Sequence, residues 1–120
     1  MQPNKQDMAR LWDMLDAARA AVQFTCDRQF EDFLANRMVR NAVERNLEII
    51  GEAARCVSQT FRDGHPEIPW RAIIALRNVL SHEYGDIRYE RLWLLCIEQL
   101  SVLIRQLECL GVKDPPEKGR

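Results

Sequence analysis

Arg37-Met38-Val39-Arg40-Asn41-Ala42-Val43-Glu44-Arg45-Asn46-Leu47-Glu48-Ile49-Ile50-Gly51-Glu52-Ala53-Ala54-Arg55-Cys56-Val57-Ser58-Gln59 is the stretch whose reading decides the fold. Val39, Val43, Leu47, Ile50, Ala54 and Val57 recur at three- and four-residue intervals. A helix of about 3.6 residues per turn places residues so spaced on one face. The period predicts one long amphipathic helix from about Arg37 to Gln59. Gly51 within it leaves room for a neighbouring helix to pack closely.

The same period continues on both sides. Upstream, Met8, Leu11, Leu15, Ala18 and Val22 form a stripe with Trp12 and Met14 beside it. Asn4 is placed to cap that helix, which fades by Thr25. Asp27 is expected to cap a short segment, Arg28 to Ala35, with Phe30, Phe33 and Leu34 facing inward. Downstream, Gly64, Pro66 and Pro69 break the chain between Phe61 and Pro69. Pro69 suits the first position of the next helix, which Trp70, Ile73, Ile74 and Leu80 continue. Gly85 is expected to end it and Asp86 to cap the last helix, from about Ile87 to Leu110.

No alternating strand pattern, internal repeat or low-complexity segment interrupts this reading. The expected architecture is an all-α, up-and-down helical bundle, one domain over residues 1–112 with a flexible tail, 113–120. In the last helix Trp93, Cys96, Leu100, Leu103 and Leu107 supply a core stripe. Leu92, Leu95, Val102 and Ile104 widen it into a second apolar face, from which a homodimer is expected.

Composition bounds the function. The 120 residues are 47% hydrophobic and 29% charged, a globular balance. Seventeen Lys and Arg stand against eighteen Asp and Glu. Such a balance excludes a broad basic footprint for nucleic acid but permits a local basic site. Cys26, Cys56, Cys96 and Cys109 form no CxxC pair, so they read as reduced, mostly buried thiols rather than a zinc site or disulfide frame. The start has no apolar leader, and the longest apolar run, Leu92 to Ile97, is far too short to cross a bilayer. A cytoplasmic protein is expected, without membrane attachment.

The residues that offer chemistry are Arg77-Asn78-Val79-Leu80-Ser81-His82-Glu83-Tyr84. On an ideal helix Arg77 and Tyr84 lie along one row, and Asn78 and His82 share the neighbouring row. Arg77 and His82 fall on adjoining faces. An arginine presents a permanently charged planar fork to phosphate. A histidine exchanges protons near neutral pH. An asparagine orients a ring or holds a substrate oxygen, and a tyrosine supplies a hydroxyl and a stacking face. Such a set can cleave RNA without metal: the 2′-OH attacks phosphorus, His82 moves protons and Arg77 stabilises the phosphoryl charge. The structural alternative is a polar helix end, with Arg77 paired to Glu83 or Asp86 and His82 capping the last turn.

Arg77-x4-His82-x-Tyr84, with Asn78 directly after the arginine, resembles the signature of HepT-like (DUF86) HEPN-domain toxins. Arg45-Asn46-Leu47-Glu48-Ile49-Ile50-Gly51-Glu52-Ala53-Ala54 and His65-Pro66-Glu67-Ile68-Pro69-Trp70 resemble segments of the same family in the same order. The likeness runs from about Leu11 to Leu110. It implies a HEPN bundle that dimerises with two motifs facing each other across a cleft. It implies that Arg77 and His82 are the catalytic pair of a metal-independent endoribonuclease, with Asn78 in support and no cofactor. It also implies a partner, a minimal nucleotidyltransferase antitoxin of the MNT type, in a type VII-like toxin–antitoxin pair. That partner would AMPylate Tyr84, placing bulk and negative charge beside Arg77 and His82 and so blocking RNA.

Two other readings stand beside this one. One is a non-catalytic helical module that binds a nucleotidyltransferase or a nucleotide. The other is a purely structural dimerisation domain. Elsewhere, Glu48 and Glu52 share a helix face without a third ligand, so they read as solvated or salt-bridged carboxylates rather than a metal pair. Asn46 reads as a satisfied polar group near the core, His65 as structural or solvent-exposed, and Trp12, Trp70 and Trp93 as core anchors.

Overall fold

The computed structural model describes residues 3–82 and 85–112, without the side chains of residues 82 and 85–87. Tyr84, the capping side chain of Asp86 and the tail 113–120 therefore lie outside the described residues. Helices α1 (Lys5–Thr25), α2 (Phe30–Ala35), α3 (Arg37–Cys56), α4 (Gln59–Asp63), α5 (Trp70–Ile74), α6 (Leu76–His82) and α7 (Gly85–Leu94) follow one another along the chain. A π-helical segment, Leu95–Gln99, joins α7 to α8 (Leu100–Cys109). The all-α helical bundle expected from the periodicity is the one observed, and no strand occurs among the described residues.

Helices α1 and α3 form the central pair. α1 starts where the Asn4 side chain accepts the Asp7 N–H at 2.7 Å. It buries Leu11, Met14, Leu15, Ala17, Ala18 and Ala21. α3 faces it with Val43, Leu47, Ile50 and Ala54, all at 0% exposure, as its spacing dictates. α8 closes the other side of α1 with Leu100, Leu103 and Leu107. Trp70 is buried, and Trp12 and Trp93 pack half-buried against the core, so the three tryptophans anchor the interior. Asn46 donates its amide to the Ala42 carbonyl at 2.8 Å on its own helix.

The helix expected to run on to Gln59 stops at Cys56. Ser58 instead caps α4, accepting the Phe61 N–H at 3.2 Å. Its own N–H and hydroxyl donate to the two carboxylate oxygens of buried Asp7, at 2.8 and 2.7 Å. A five-residue helix has no stability alone. This one buries Phe61, worth about 1.5–3 kcal/mol for a side chain of that size. Asp27 does not cap α2: it takes φ +61° in the preceding turn. Gln29 and Asp32 form a reciprocal capping box instead.

The next expected helix is two helices. α5 ends at Ile74 with Ala75 as its cap, and α6 restarts at Leu76 with the Asn78 N–H donating to the Ala75 carbonyl at 2.8 Å. The joint lies against Gly51. A Cβ on Gly51 would stand 3.2 Å from the Ile73 carbonyl oxygen and 3.8 Å from Leu76 Cβ. The close packing expected at Gly51 is thus present, and it is the α5–α6 joint that uses it. α6 ends at His82 and α7 begins at Gly85, so Gly85 opens a helix rather than ending one.

The π-helical segment corrects the reading of the last helix. A π turn carries an extra residue, so residues spaced by four stay aligned across it. Leu92, Cys96 and Leu100 accordingly all face the core. Leu92 belongs to the interior, not to the second apolar face. That outer face consists of Leu94, Ile97 and Val102, each nearly half exposed, with Leu95 and Ile104 half-buried.

The cysteines also differ from expectation. All four are free, but only Cys96 is buried. Cys26, Cys56 and Cys109 sit at helix ends, where the chain leaves the core. Burial pushes the Cys96 thiol up to about 12, against a smaller opposing hydrogen bond with Thr25.

Two measurements check this packing. At pH 8 a thiol reagent should modify the three exposed cysteines quickly and Cys96 only after denaturation, because the thiolate is the reactive form. Gly51→Val should lower unfolding stability in urea by about 1–3 kcal/mol, since the added methyls must displace backbone rather than a flexible side chain.

Candidate functional site

Arg77, Asn78 and His82 stand on one helix, α6. Leu76 anchors that helix in the core, which turns the Arg77 and Asn78 side chains outward to solvent. Tyr84, expected one row away, lies outside the described residues, as does the His82 side chain. Arg77 enters a polar groove of about 520 Å³ between α3, α6 and α7. Asn41, Glu44, Arg45 and Glu48 line its α3 wall, Leu80 and Ser81 continue the α6 wall, and Arg88 of α7 closes it. Asn78 is exposed but does not line this groove. The described residues therefore place Arg77 at the groove and Asn78 beside it.

The groove is electrostatically mixed. Arg88 Nη2 meets Glu44 Oε2 at 2.8 Å, with both side chains about four-fifths buried. Arg45 Nη1 meets Glu48 Oε1 at 3.0 Å, on a far more exposed pair. Next along α3, Glu52 accepts from Arg55 at 2.9 Å. The hydrogen bond and charge of Arg55, aided by the more distant charge of Arg77, hold the Glu52 carboxyl below its ordinary value. Glu48 and Glu52 are thus salt-bridged carboxylates, as their spacing suggested. Among the described residues no group of three or more His, Cys, Asp or Glu lies close enough to hold a metal.

Aromatic packing positions the far wall. Phe33 of α2 is fully buried and meets Trp93 at 5.4 Å and Tyr89 edge-on at 6.4 Å between ring centroids. Arg40 stacks over the Tyr89 ring at 4.9 Å and donates to the Leu34 carbonyl. The Arg88 guanidinium lies 6.0 Å from the same ring. Burial of α2 thereby fixes α7, and α7 fixes Arg88.

His65 sits elsewhere. Its ring stacks on Phe61 at 4.4 Å, its Nδ1 lies 3.1 Å from Glu67, and its carbonyl accepts the Trp70 indole N–H at 2.9 Å. It is structural, one of the two roles expected of it.

Sequence reading passed over Asn41, Glu44 and Arg88 as site residues. A signal existed on α3, where Asn41, Glu44, Arg45, Glu48, Glu52 and Arg55 repeat at helical spacing and make a polar stripe. Arg88 had no comparable signal, since only the folding of α7 against α2 and α3 brings it to Glu44.

The bundle and the motif helix define a class: an all-α HEPN-type fold with a motif arginine at a polar groove. The family model for ribonuclease HepT-like proteins matches residues 14–110, and the chain belongs to this family. It is 40% identical over 106 residues to a Methanocaldococcus jannaschii protein named "Putative RNase MJ1380", covering 88% of this chain and 97% of that one. It is 35% identical over 106 residues to "Putative RNase MJ0127" of the same organism, covering 88% of each. It is also 38% identical over 100 residues to "Probable ribonuclease HepT" of Thermococcus cleftensis, covering 83% of this chain and 91% of that one. No solved structure matches the chain. No described helix is long and apolar enough to cross a membrane.

The depressed carboxyl of Glu52 gives a pH test. Its folded value lies below the ordinary 4.5, so the pairing contributes fully above that value and is lost as pH falls through the lower folded one. A carbon-13 titration of the Glu52 carboxyl should show a midpoint below 4.5. Arg55→Ala should return it most of the way, and Arg77→Ala should move it less.

Proposed function

We propose that this chain is a metal-independent endoribonuclease, the cytoplasmic toxin of a type VII-like toxin–antitoxin pair. The observation that carries the reading is the exposed Arg77 in an arginine-lined groove, on the helix that also bears Asn78 and His82. Membership of the ribonuclease HepT-like family supports it. In this mechanism the ribose 2′-OH attacks the adjacent phosphorus. His82 takes its proton and then protonates the departing 5′ oxygen, leaving a cyclic phosphate. Arg77 offsets the charge that builds on the non-bridging oxygens. Asn78 supports the site.

The working form is a homodimer whose two motifs face one shared cleft. Arg77 counted twice gives a local positive field on a chain of net charge −1. Leu94, Ile97 and Val102 supply exposed apolar surface for association. The partner is a nucleotidyltransferase antitoxin of the MNT type, which silences the enzyme by adding AMP to Tyr84. The phosphate then competes for Arg77, and the nucleoside blocks the RNA path.

Pure protein should cleave single-stranded RNA in excess EDTA. His82→Ala and Arg77→Ala should each lower the rate by about 10²–10⁴. RNA left intact by all three proteins, or cut equally by all three, sinks the reading. A harmless wild type that still binds a nucleotidyltransferase tightly would favour the binding-module alternative. On co-expression with the antitoxin, intact mass should rise by AMP for wild type and not for Tyr84→Phe.

A further inference from the structure

Arginines from three helices converge on the groove at Arg77: Arg45 of α3, Arg77 of α6 and Arg88 of α7. Two carboxylates answer them, Glu44 and Glu48. The pairings differ in a way that bears on function. Arg45 and Glu48 form an exposed pair, 67% and 50% open, of a kind that contributes little to stability. Another anion can take Arg45 from Glu48 at little cost. Arg88 is four-fifths buried, with one terminal nitrogen on Glu44 and its guanidinium 6.0 Å from the Tyr89 ring. Its Nε is buried with no hydrogen-bond partner among the described residues. That Nε is closed to a ligand, so the donors left for phosphate are the terminal N–H groups that Glu44 does not take.

The shape adds to this. Asn41 to Glu48 spans about 10 Å along α3, two helical turns of open wall with Arg77 opposite. A wall of that length suits the backbone of a short stretch of strand. A basic groove that follows a backbone is how sequence-tolerant single-strand binding is built.

We propose that Arg45 and Arg88 extend the site into a phosphate track that holds the single-stranded RNA backbone next to the bond at Arg77. Glu48 is an internal anion that yields Arg45 to phosphate, while Glu44 keeps its pairing and holds Arg88 in the groove. Arg45 and Arg88 are thus substrate-binding residues, and Glu44 is a positioning residue whose charge lowers affinity. The inference rests on the ribonuclease reading for the identity of the strand, but its test does not require cleavage.

The probe is a fluorescein-labelled 2′-O-methyl octauridylate, which lacks the attacking hydroxyl. Its binding is followed by anisotropy across a salt series. Wild type should bind with a salt-dependent Kd. Arg45→Gln and Arg88→Gln should each weaken binding about tenfold, the worth of one charge-assisted hydrogen bond. Each should also reduce the slope of log Kd against log salt by about 0.7, the value for one lost phosphate contact on a single strand. With cleavable RNA the loss should fall more on KM than on kcat. Glu44→Gln should bind several-fold tighter, an outcome that a merely structural Glu44 would not produce. Arg19→Gln, whose arginine pairs with Glu108 between α1 and α8, should bind as wild type. Where Arg88→Gln melts early, Arg45→Gln and Glu44→Gln carry the test.

Unchanged affinity and slope in Arg45→Gln, with Glu44→Gln no tighter, overturn the track even if wild type cuts RNA. Absence of probe binding by wild type overturns it as well. Arginine-dependent binding without RNA cleavage upholds the track and removes the ribonuclease reading instead.

Discussion

The backbone of α5 runs against α3 at the one point where α3 has no side chain. At Gly51 the Ile73 carbonyl comes within 3.2 Å of where a Cβ would stand. The rest of the site depends on that approach. α5 ends at Ile74 beside that contact, α6 starts at Leu76, and Leu76 is buried while Arg77 is exposed. A Cβ at position 51 would press on the Ile73 carbonyl, so the backbone leading into α6 would have to give by a few tenths of an ångström. Packing density is what makes this effective, since a close-packed interior transmits a displacement rather than absorbing it.

Around that joint the molecule sets opposite charges against each other. The α3 stripe mixes carboxylates with arginines, so the groove carries three arginines yet the chain as a whole stays near neutral. Exposed pairs such as Arg45–Glu48 contribute little to stability and can be exchanged cheaply. The partly buried Glu44–Arg88 pair costs more to disturb, and the aromatic cluster of Phe30, Phe33, Tyr89 and Trp93 holds its helix in place. Rigid placement of Arg88 beside an adaptable Arg45 gives one groove both a fixed and a recruitable cation.

Much of the architecture was legible in particular residues. Val43, Leu47, Ile50 and Ala54 named the buried face of α3 because burial and helical period are one constraint. Asn4 named the start of α1 because its side chain is the right length to accept the Asp7 N–H. Local signals misled where a distant group intervened. Ser58 begins a new helix because Asp7, 51 residues away, takes its N–H and hydroxyl. Leu92 entered the core because the π-helical segment shifts the helix register, and that shift has no mark in hydrophobic spacing.

The candidate site divides in the same way. By itself the sequence determined an all-helical chain, a motif helix bearing Arg77, Asn78 and His82, and the identity of the side chains that can handle phosphate and protons. Those follow from spacing and chemistry along the chain. Only the tertiary structure decided that Arg77 shares a groove with Arg45 and Arg88, that Glu44 rather than a neighbour in sequence answers Arg88, and that the α5–α6 joint packs on Gly51. These depend on contacts between residues tens of positions apart, and such contacts are set by how helices pack, not by the period within any one of them.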